Sequence, residues 1–290
     1  MKHPYKISGD EFAAHLKYLS KHKRVLPLAE AAEFFAGEKP LPENAAVITI
    51  DDGYADAYEV AFPILKKYNV PAALFAITDF LDGKIWLWTD KMRYVLQGTK
   101  SDSVSIEFEN RPAFTETLTH EWQRLRVANR LNSILKTLPN EEKETKIKEI
   151  AETLNVEIPP TPNADYAAMN WEQAREMDAE NLRVESHTVT HPILTNITQT
   201  QLDYELQTSK KRLENVLGRK VEHFCYPNGS FDAQIQNSVE RAGYKSAVTT
   251  DYGFNERDTN QYALNRIDAQ SAIERFAQSV SGFEALKRKN

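Results

Sequence analysis

Apolar and polar positions alternate along the chain in a pattern that predicts strands and helices in turn. Short apolar runs between polar residues are typical of buried parallel strands, and apolar residues three or four positions apart are typical of helices. Seven segments are predicted as strands: 25–28, 45–50, 71–78, 182–186, 223–226, 244–249 and 262–267. Strands followed by helices predict an α/β fold, in which seven or eight (β/α) units can close into a barrel.

Two helix starts carry a specific local signal. Ser8 with Glu11, and Thr198 with Gln201, have the spacing of a capping box, in which each side chain bonds the other residue's backbone N–H. The second helix is predicted to run to Leu217, with Leu202, Leu206 and Leu213 among its apolar residues.

The strand–helix alternation stops between residues 83 and 162, where the chain is polar and charged. Helices are predicted near 120–138 and 141–154, and the segment ends in a proline-rich loop at 159–162. We therefore predict one domain over residues 1–290 with a helical insertion at 83–162. Because loops after barrel strands lie on the catalytic face, this insertion is expected to cover part of the active-site mouth.

Composition excludes several classes of protein. The chain of 290 residues has 36 Lys and Arg against 42 Asp and Glu, and this net charge of −6 argues against nucleic-acid binding. The longest apolar run, 72–77, is too short to span a bilayer. The single cysteine excludes an internal disulfide. The chain opens without a secretory leader, which predicts a cytoplasmic or membrane-peripheral protein.

Two polar clusters follow predicted strands directly. Asp51 and Asp52 come after strand 45–50, and their mutual repulsion would be offset by a metal or a guanidinium. The alternative is an ordinary helix N-terminal turn. His187 and His191 follow strand 182–186, and two imidazoles with one carboxylate make a three-ligand zinc site that leaves one position open. The alternative is two ordinary loop histidines.

Two further segments are less specific. Residues 224–229 follow a short strand and either shape a pocket wall or form a plain turn, and Cys225 within them is typical of a small buried apolar residue. Arg266 lies within an apolar strand pattern and needs an acidic partner, either at the site or in a rim ion pair.

Together these residues resemble the motifs of the polysaccharide deacetylases, the NodB-homology proteins or family 4 carbohydrate esterases. Thr49-Ile50-Asp51-Asp52-Gly53 resembles their first motif, and the segment 186–191 resembles their second. Tyr226-Pro227-Asn228-Gly229 resembles their third motif in degenerate form. The resemblance covers about residues 45–80 and 170–270, and the double Asp followed by the paired His is its specific part.

The resemblance implies a deformed (β/α) barrel that removes N-acetyl groups, or sometimes O-acetyl groups, from an amino-sugar polysaccharide or glycoconjugate. It assigns Asp52, His187 and His191 as ligands of one divalent metal, usually zinc, with Co²⁺, Ni²⁺ or Mn²⁺ as alternatives. It assigns Asp51 as the catalytic base. The residues implied to bind substrate are those of the third motif: Tyr226, Pro227, Asn228 and Gly229. Trp86 and Trp88 either stack on sugar rings or anchor the core of the insertion.

The chain departs from the family pattern at two places. Cys225 stands where an arginine usually tethers the base, and we predict that Arg266 pairs with Asp51 instead. The late Leu-x-His motif that supplies an acid histidine is absent, and His3 is the remaining candidate, so weak catalysis is expected. Two alternatives therefore stay open: a metal-holding carbohydrate-binding relative without catalysis, and a metal amidohydrolase acting on a non-sugar substrate.

Overall fold

The computed structural model describes residues 7–37, 39–109 and 111–282. The chain forms two compact units, which we name the sheet unit (Met1–Asp82 and Ala168–Asn290) and the inserted unit (Gly83–Ala167).

The described residues form ten strands and eleven α-helices. The strands are β1 (Arg24–Val25), β2 (Ala45–Ala46), β3 (Thr49–Asp52), β4 (Ala72–Ala76), β5 (Ser103–Phe108), β6 (Arg111–Thr117), β7 (Leu182–Ser186), β8 (His223–Cys225), β9 (Ser246–Tyr252) and β10 (Leu264–Arg266). The helices are α1 (Gly9–His22), α2 (Leu28–Phe35), α3 (Phe62–Tyr68), α4 (Thr78–Leu81), α5 (Trp88–Gly98), α6 (Glu121–Leu135), α7 (Asn140–Thr153), α8 (Trp171–Ala179), α9 (Gln199–Leu217), α10 (Ala233–Arg241) and α11 (Ile273–Val280).

Six parallel strands form the main sheet, in the order β10-β9-β8-β7-β4-β3. Arg266 at the end of one edge strand donates hydrogen bonds to Thr49 and Asp51 on the other edge strand. Phe75 on β4 and Leu264 on β10 also belong to one apolar cluster, although three strands of the sheet lie between β4 and β10. The sheet therefore curls into a half-barrel, and the expectation of a deformed (β/α) barrel is confirmed.

The strand segments predicted from the sequence are present, but two of them are changed. The segment 45–50 divides into β2, which pairs with β1 in a separate two-stranded sheet, and β3, which joins the main sheet. The predicted strand 25–28 is reduced to Arg24–Val25, because α2 begins at Leu28 directly after Pro27.

Helices cover the convex face of the curled sheet. On β4 the alternation of side chains directs Leu74 and Ala76 into the core beneath the helices, while Phe75 faces the concave side. Both predicted capping boxes are present, at the starts of α1 and α9. No helix among the described residues combines the length and hydrophobicity needed to cross a bilayer.

The inserted unit differs from the expected helical insertion in two respects. It has an apolar core of its own, built by α5, α6 and α7. It also contains an antiparallel hairpin, β5–β6, whose residues Val104, Ile106 and Phe108 point alternately into that core. Trp86 and Trp88 are both buried, and Trp88 belongs to the same core. Their positions favour the anchoring role over stacking on a ligand.

Candidate metal centre and active site

Side chains from four strands meet at one edge of the curled sheet. Asp51 and Asp52 end β3, His187 follows β7, Cys225 ends β8 and Arg266 ends β10. Because all these strands are parallel, their carboxyl ends lie at the same edge, where ligands bind in α/β folds. The structure therefore brings together the two clusters that the sequence placed 135 positions or more apart.

Asp52, His187 and His191 form a compact donor set. The Oδ1 atom of Asp52 lies 3.5 Å from Nε2 of His187 and 3.7 Å from Nε2 of His191. Ligand atoms about 2.0–2.1 Å from a tetrahedral zinc ion stand roughly 3.3–3.4 Å apart. The three donors are thus spaced nearly as a small divalent ion requires, and they form one of two groups among the described residues with metal-ligand spacing.

His187 is oriented for this purpose by the backbone of β8. Its Nδ1 lies 2.7 Å from the carbonyl oxygen of Cys225, and donation of a proton there leaves the Nε2 lone pair facing Asp52. Burial opposes protonation of this imidazole, but Cys225 and the carboxylates of Asp52 and Asp51 outweigh burial and raise the His187 pKa well above its usual value. These carboxylates favour a positive charge at Nε2, which either a proton or a divalent cation can supply, and the spacing of the three donors fits a metal.

The backbone around the donor set is in an unusual conformation. Asp52, Thr188 and His191 have φ angles of +72°, +74° and +58°. Residues other than glycine pay a conformational cost in this left-handed region, and such residues concentrate at functional sites. The segment from His187 to His191 is a turn rather than the helical turn that would bring residues four apart together, yet the two imidazole centroids lie 4.9 Å apart.

Asp51 has a different set of partners from Asp52. Its two carboxylate oxygens accept hydrogen bonds of 2.8 and 2.7 Å from the Arg266 guanidinium, so the predicted pairing is present. The Cys225 thiol lies 3.7 Å from the same carboxylate and 3.4 Å from the guanidinium. Burial raises the pKa of Asp51, but Arg266 outweighs burial by its charge and hydrogen bonds and holds that pKa below its usual value. Asp51 is therefore an ionised carboxylate adjacent to the donor set.

The third motif contributes less exposed surface than the sequence indicated. Tyr226 and Pro227 are buried, and the Tyr226 hydroxyl donates to the carbonyl of Tyr262 within the core. The side chains of Tyr226 and Pro227 therefore form part of the core, and the role of this motif in substrate binding stays a prediction. Asn228 and Gly229 remain partly exposed at the turn after β8.

Gly229 occupies a position that only glycine fits. Its φ is +68°, and a Cβ atom there would lie 1.9 Å from Oγ1 of Thr250. The turn after β8 therefore packs directly against Thr250 of β9.

The remaining histidines of the described residues have other surroundings. His15 stacks on Phe276 and His22 contacts Tyr18, both on the helical side of the sheet unit. His223 begins β8 and lies 2.9 Å from the Ser246 hydroxyl. His120 belongs to the inserted unit, and His3 lies outside the described residues. His15, His22 and His223 thus lie away from Asp51 and Asp52.

One residue beside the site was not singled out by the sequence. Glu205 on α9 is buried and bonds the loop between the two histidines. It lies in the apolar stripe that contains Leu202 and Leu206, and a charged residue at a buried position of such a stripe is a signal that it has specific partners.

Comparison with known proteins gives consistent results. Residues 38–247 match the sequence profile of the polysaccharide deacetylases. The Bacillus subtilis (strain 168) protein named "Putative polysaccharide deacetylase YxkH" is 25% identical over 263 residues, which is 90% of this chain and 65% of that protein. The poly-beta-1,6-N-acetyl-D-glucosamine N-deacetylase of Escherichia coli (strain K12) is 42% identical over 55 residues, which is 19% of this chain and 8% of that enzyme. The chain thus covers less than two thirds of the length of these relatives.

Solved structures share the fold. The Streptococcus pyogenes deacetylase PplD, solved in complex with acetate, superposes with a TM-score of 0.64 at 19% identity over 96% of this chain and 89% of that one. IcaB from Ammonifex degensii superposes with a TM-score of 0.60 at 20% identity over 96% and 92% of the two chains. Since the family profile covers well over half of the sequence, the chain belongs to the polysaccharide deacetylase family, whose members hydrolyse acetyl-amide bonds.

Proposed function

We propose that this chain is a metal-dependent N-deacetylase of an amino-sugar polymer, with Asp52, His187 and His191 holding the metal and Asp51 acting as base. The observation that carries the proposal is that two neighbouring carboxylates have different partners. Asp52 faces two imidazoles, and Asp51 is held by Arg266. Paired acids whose surroundings differ in this way are suited to different tasks at one reaction centre.

The donor set suits zinc, although Co²⁺, Ni²⁺ and Mn²⁺ accept similar ligands. A divalent ion held there would polarise the acetyl carbonyl and lower the pKa of a water molecule at the site.

The residues of the chain supply the remaining steps. Asp51 accepts a proton from a water molecule while the oxygen of that water attacks the carbonyl carbon of the acetyl group. Arg266 keeps the Asp51 carboxylate ionised and oriented. The backbone N–H of Asn228, at the turn after β8, is the proposed donor to the developing oxyanion. The carbon–nitrogen bond then breaks as the leaving nitrogen takes up the proton that Asp51 accepted, so the free amine and acetate are the products and the base is restored.

The names of two relatives support a choice of substrate class. The enzymes of Escherichia coli (strain K12) and Staphylococcus aureus (strain N315) are named for poly-beta-1,6-N-acetyl-D-glucosamine, and their matches to this chain cover 19% and 26% of it. We therefore propose a β-1,6-linked N-acetylglucosamine polymer as the first substrate to test, with other linkages as comparisons.

The test is acetate release from oligomers of N-acetylglucosamine by zinc-loaded protein, by chelator-treated protein and by the Asp51→Asn variant. Zinc-loaded protein is expected to release acetate. Chelator treatment should abolish release, and Asp51→Asn should reduce it about 10²- to 10⁴-fold, which is the usual contribution of a positioned base. Equal release by chelated and loaded protein would contradict the proposal.

A second candidate is a carbohydrate-binding relative that holds a metal without catalysis. The observation in its favour is that neither His15, His22 nor His223 lies at the edge of the sheet where Asp51 and Asp52 meet. This candidate predicts zinc binding and oligosaccharide binding with no acetate release. Release of acetate from a small non-sugar acetamide, with none from any oligosaccharide, would instead indicate the amidohydrolase alternative.

A further inference from the structure

The loop between His187 and His191 is held by one carboxylate from the neighbouring helix. Oε2 of Glu205 accepts hydrogen bonds of 2.7 and 3.0 Å from the backbone N–H groups of Val189 and Thr190, and Oε1 accepts one of 2.6 Å from the Thr190 hydroxyl. Glu205 is 5% exposed. Three donors on two successive residues thus converge on one buried side chain.

Glu205 is a charged residue at a buried position of the apolar stripe of α9. Burial of an ionised group is costly unless hydrogen bonds replace its lost hydration. Here the replacement comes from the loop itself, so the loop and Glu205 satisfy each other. An apolar residue would fit the stripe of α9 better, but it would leave the N–H groups of Val189 and Thr190 without these acceptors.

The loop is in a conformation that does not form by preference. Thr188 and His191 both have left-handed φ angles, and the Thr188 hydroxyl accepts a 3.0 Å hydrogen bond from the N–H of His191. Between these two residues lie Val189 and Thr190, which are the ones that Glu205 bonds. The carboxylate therefore fixes the middle of a strained turn, and the end of that turn carries the His191 imidazole.

We propose that Glu205 is a positioning residue that presets His191 as a metal ligand. This inference rests on the proposed metal site of Asp52, His187 and His191. Without Glu205 the turn would relax toward commoner backbone angles, and His191 would no longer stand 3.7 Å from Asp52 before a metal binds. The metal would then have to order the turn itself, which weakens its affinity.

The test measures zinc affinity by competition with a chromophoric chelator. Glu205→Ala is expected to weaken zinc binding about 10- to 100-fold, which is the usual effect of removing a group that orients a ligand. Glu205→Gln should stay within a few-fold of the unmodified chain, because its amide oxygen can accept both N–H groups and its NH₂ can donate to the Thr190 hydroxyl.

The matched control is Glu214→Ala. Glu214 lies on the same helix and also accepts a backbone hydrogen bond, from Val221 at 3.1 Å, but it does not contact the histidine loop. The Glu214→Ala variant should have a lower Tm and an unchanged affinity for zinc. A role of Glu205 in stability alone would make the two alanine variants behave alike.

The outcomes separate this inference from the proposed function. If the unmodified chain binds no zinc, the proposed metal site fails and Glu205 loses its role with it. If the unmodified chain binds zinc and a folded Glu205→Ala variant binds it equally well, only the positioning role is overturned. Should Glu205→Ala fail to fold, Thr190→Val decides, since it removes one of the three bonds: a few-fold weaker zinc affinity supports the role, and an unchanged affinity overturns it.

Discussion

Two adjacent aspartates acquire different properties from partners that lie far away in sequence. Asp51 contacts Arg266 and Cys225, while Asp52 contacts the two histidines. Their positions after predicted strands indicated that the aspartates and the histidines lie close together, as the structure shows. The resemblance to the family motifs supplied the choice of Asp52 over Asp51, and the cysteine at the usual arginine position led to the prediction that Arg266 pairs with Asp51. It was not sufficient to predict that Tyr226 is buried, because a tyrosine after a strand is equally compatible with a pocket wall and with a core.

The pairing of Arg266 with Asp51 predicts how a loss of the guanidinium affects catalysis. Arg266→Gln removes the charge that outweighs burial of Asp51, so the base is ionised less readily and is less well oriented. We expect kcat for acetate release to fall about 10- to 100-fold, part of what a base contributes, with zinc content retained.

Arg257→Gln is the matched control for that measurement, because Arg257 is an exposed arginine in the segment between β9 and β10. Its kcat should equal that of the unmodified chain. An Arg266→Gln variant with unchanged kcat would show that the ion pair serves only stability.

At the scale of elements, the turn after β8 depends on a close contact with β9. Gly229 and Gly218 both have φ of +68°, but a Cβ atom on Gly229 meets Thr250 and one on Gly218 meets open space. Alanine at either position is destabilised by the positive φ angle. Gly229→Ala alone adds a steric clash, which lowers the free energy of unfolding by about a further 1–3 kcal/mol.

Thermal unfolding of the two alanine variants measures this difference. Gly229→Ala is expected to have the lower Tm, by about 2–4 °C for each kcal/mol of added cost in a domain of this size. Acetate release should fall in this variant alone, since the turn carries Asn228. Equal Tm values would contradict the close packing of the turn against Thr250.

Local signals predicted several elements correctly and missed others for physical reasons. The capping boxes of α1 and α9 are set by four residues each, so the sequence indicates them directly. The division of the segment 45–50 between two sheets depends on which strands lie beside it. A short apolar run carries no information on its neighbours, so this division could not be predicted from the run itself.

At the scale of the molecule, the inserted unit is more independent than its composition indicated. Its strand β5 (Ser103–Phe108) alternates exposed and buried residues, and this period of two was available in the sequence. The high charge of the segment concealed it, because the apolar positions of the hairpin are isolated between polar ones. A role of this unit in choosing the substrate stays a prediction.

A buried lysine in the inserted unit predicts how its stability changes with pH. Lys143 is 3% exposed, and its ammonium contacts Asn140 and the ring of Trp88. Burial lowers the pKa of this lysine from its ordinary 10.5 to about 8. Between these two values the unfolded chain binds more protons than the folded chain, so stability should rise as the pH increases from 8 to 10.5.

Lys143→Met should stabilise the inserted unit at pH 7 and reduce this rise, whereas Lys148→Met, at an exposed position of α7, should do neither. Urea unfolding followed by tryptophan fluorescence reports mainly on this unit, because Trp86, Trp88 and Trp122 are three of the four tryptophans. A Lys143→Met variant with the pH dependence of the unmodified chain would contradict the assignment.

The central claim is that Asp52, His187 and His191 hold one divalent metal, and zinc stoichiometry tests it most directly. Protein stripped of metal, reloaded with zinc and dialysed is predicted to contain one zinc per chain by elemental analysis. The double variant His187→Ala/His191→Ala should contain almost none, while the control His22→Ala/His120→Ala, which removes two exposed histidines, should retain one. A full equivalent of zinc in the folded His187→Ala/His191→Ala variant would contradict the account.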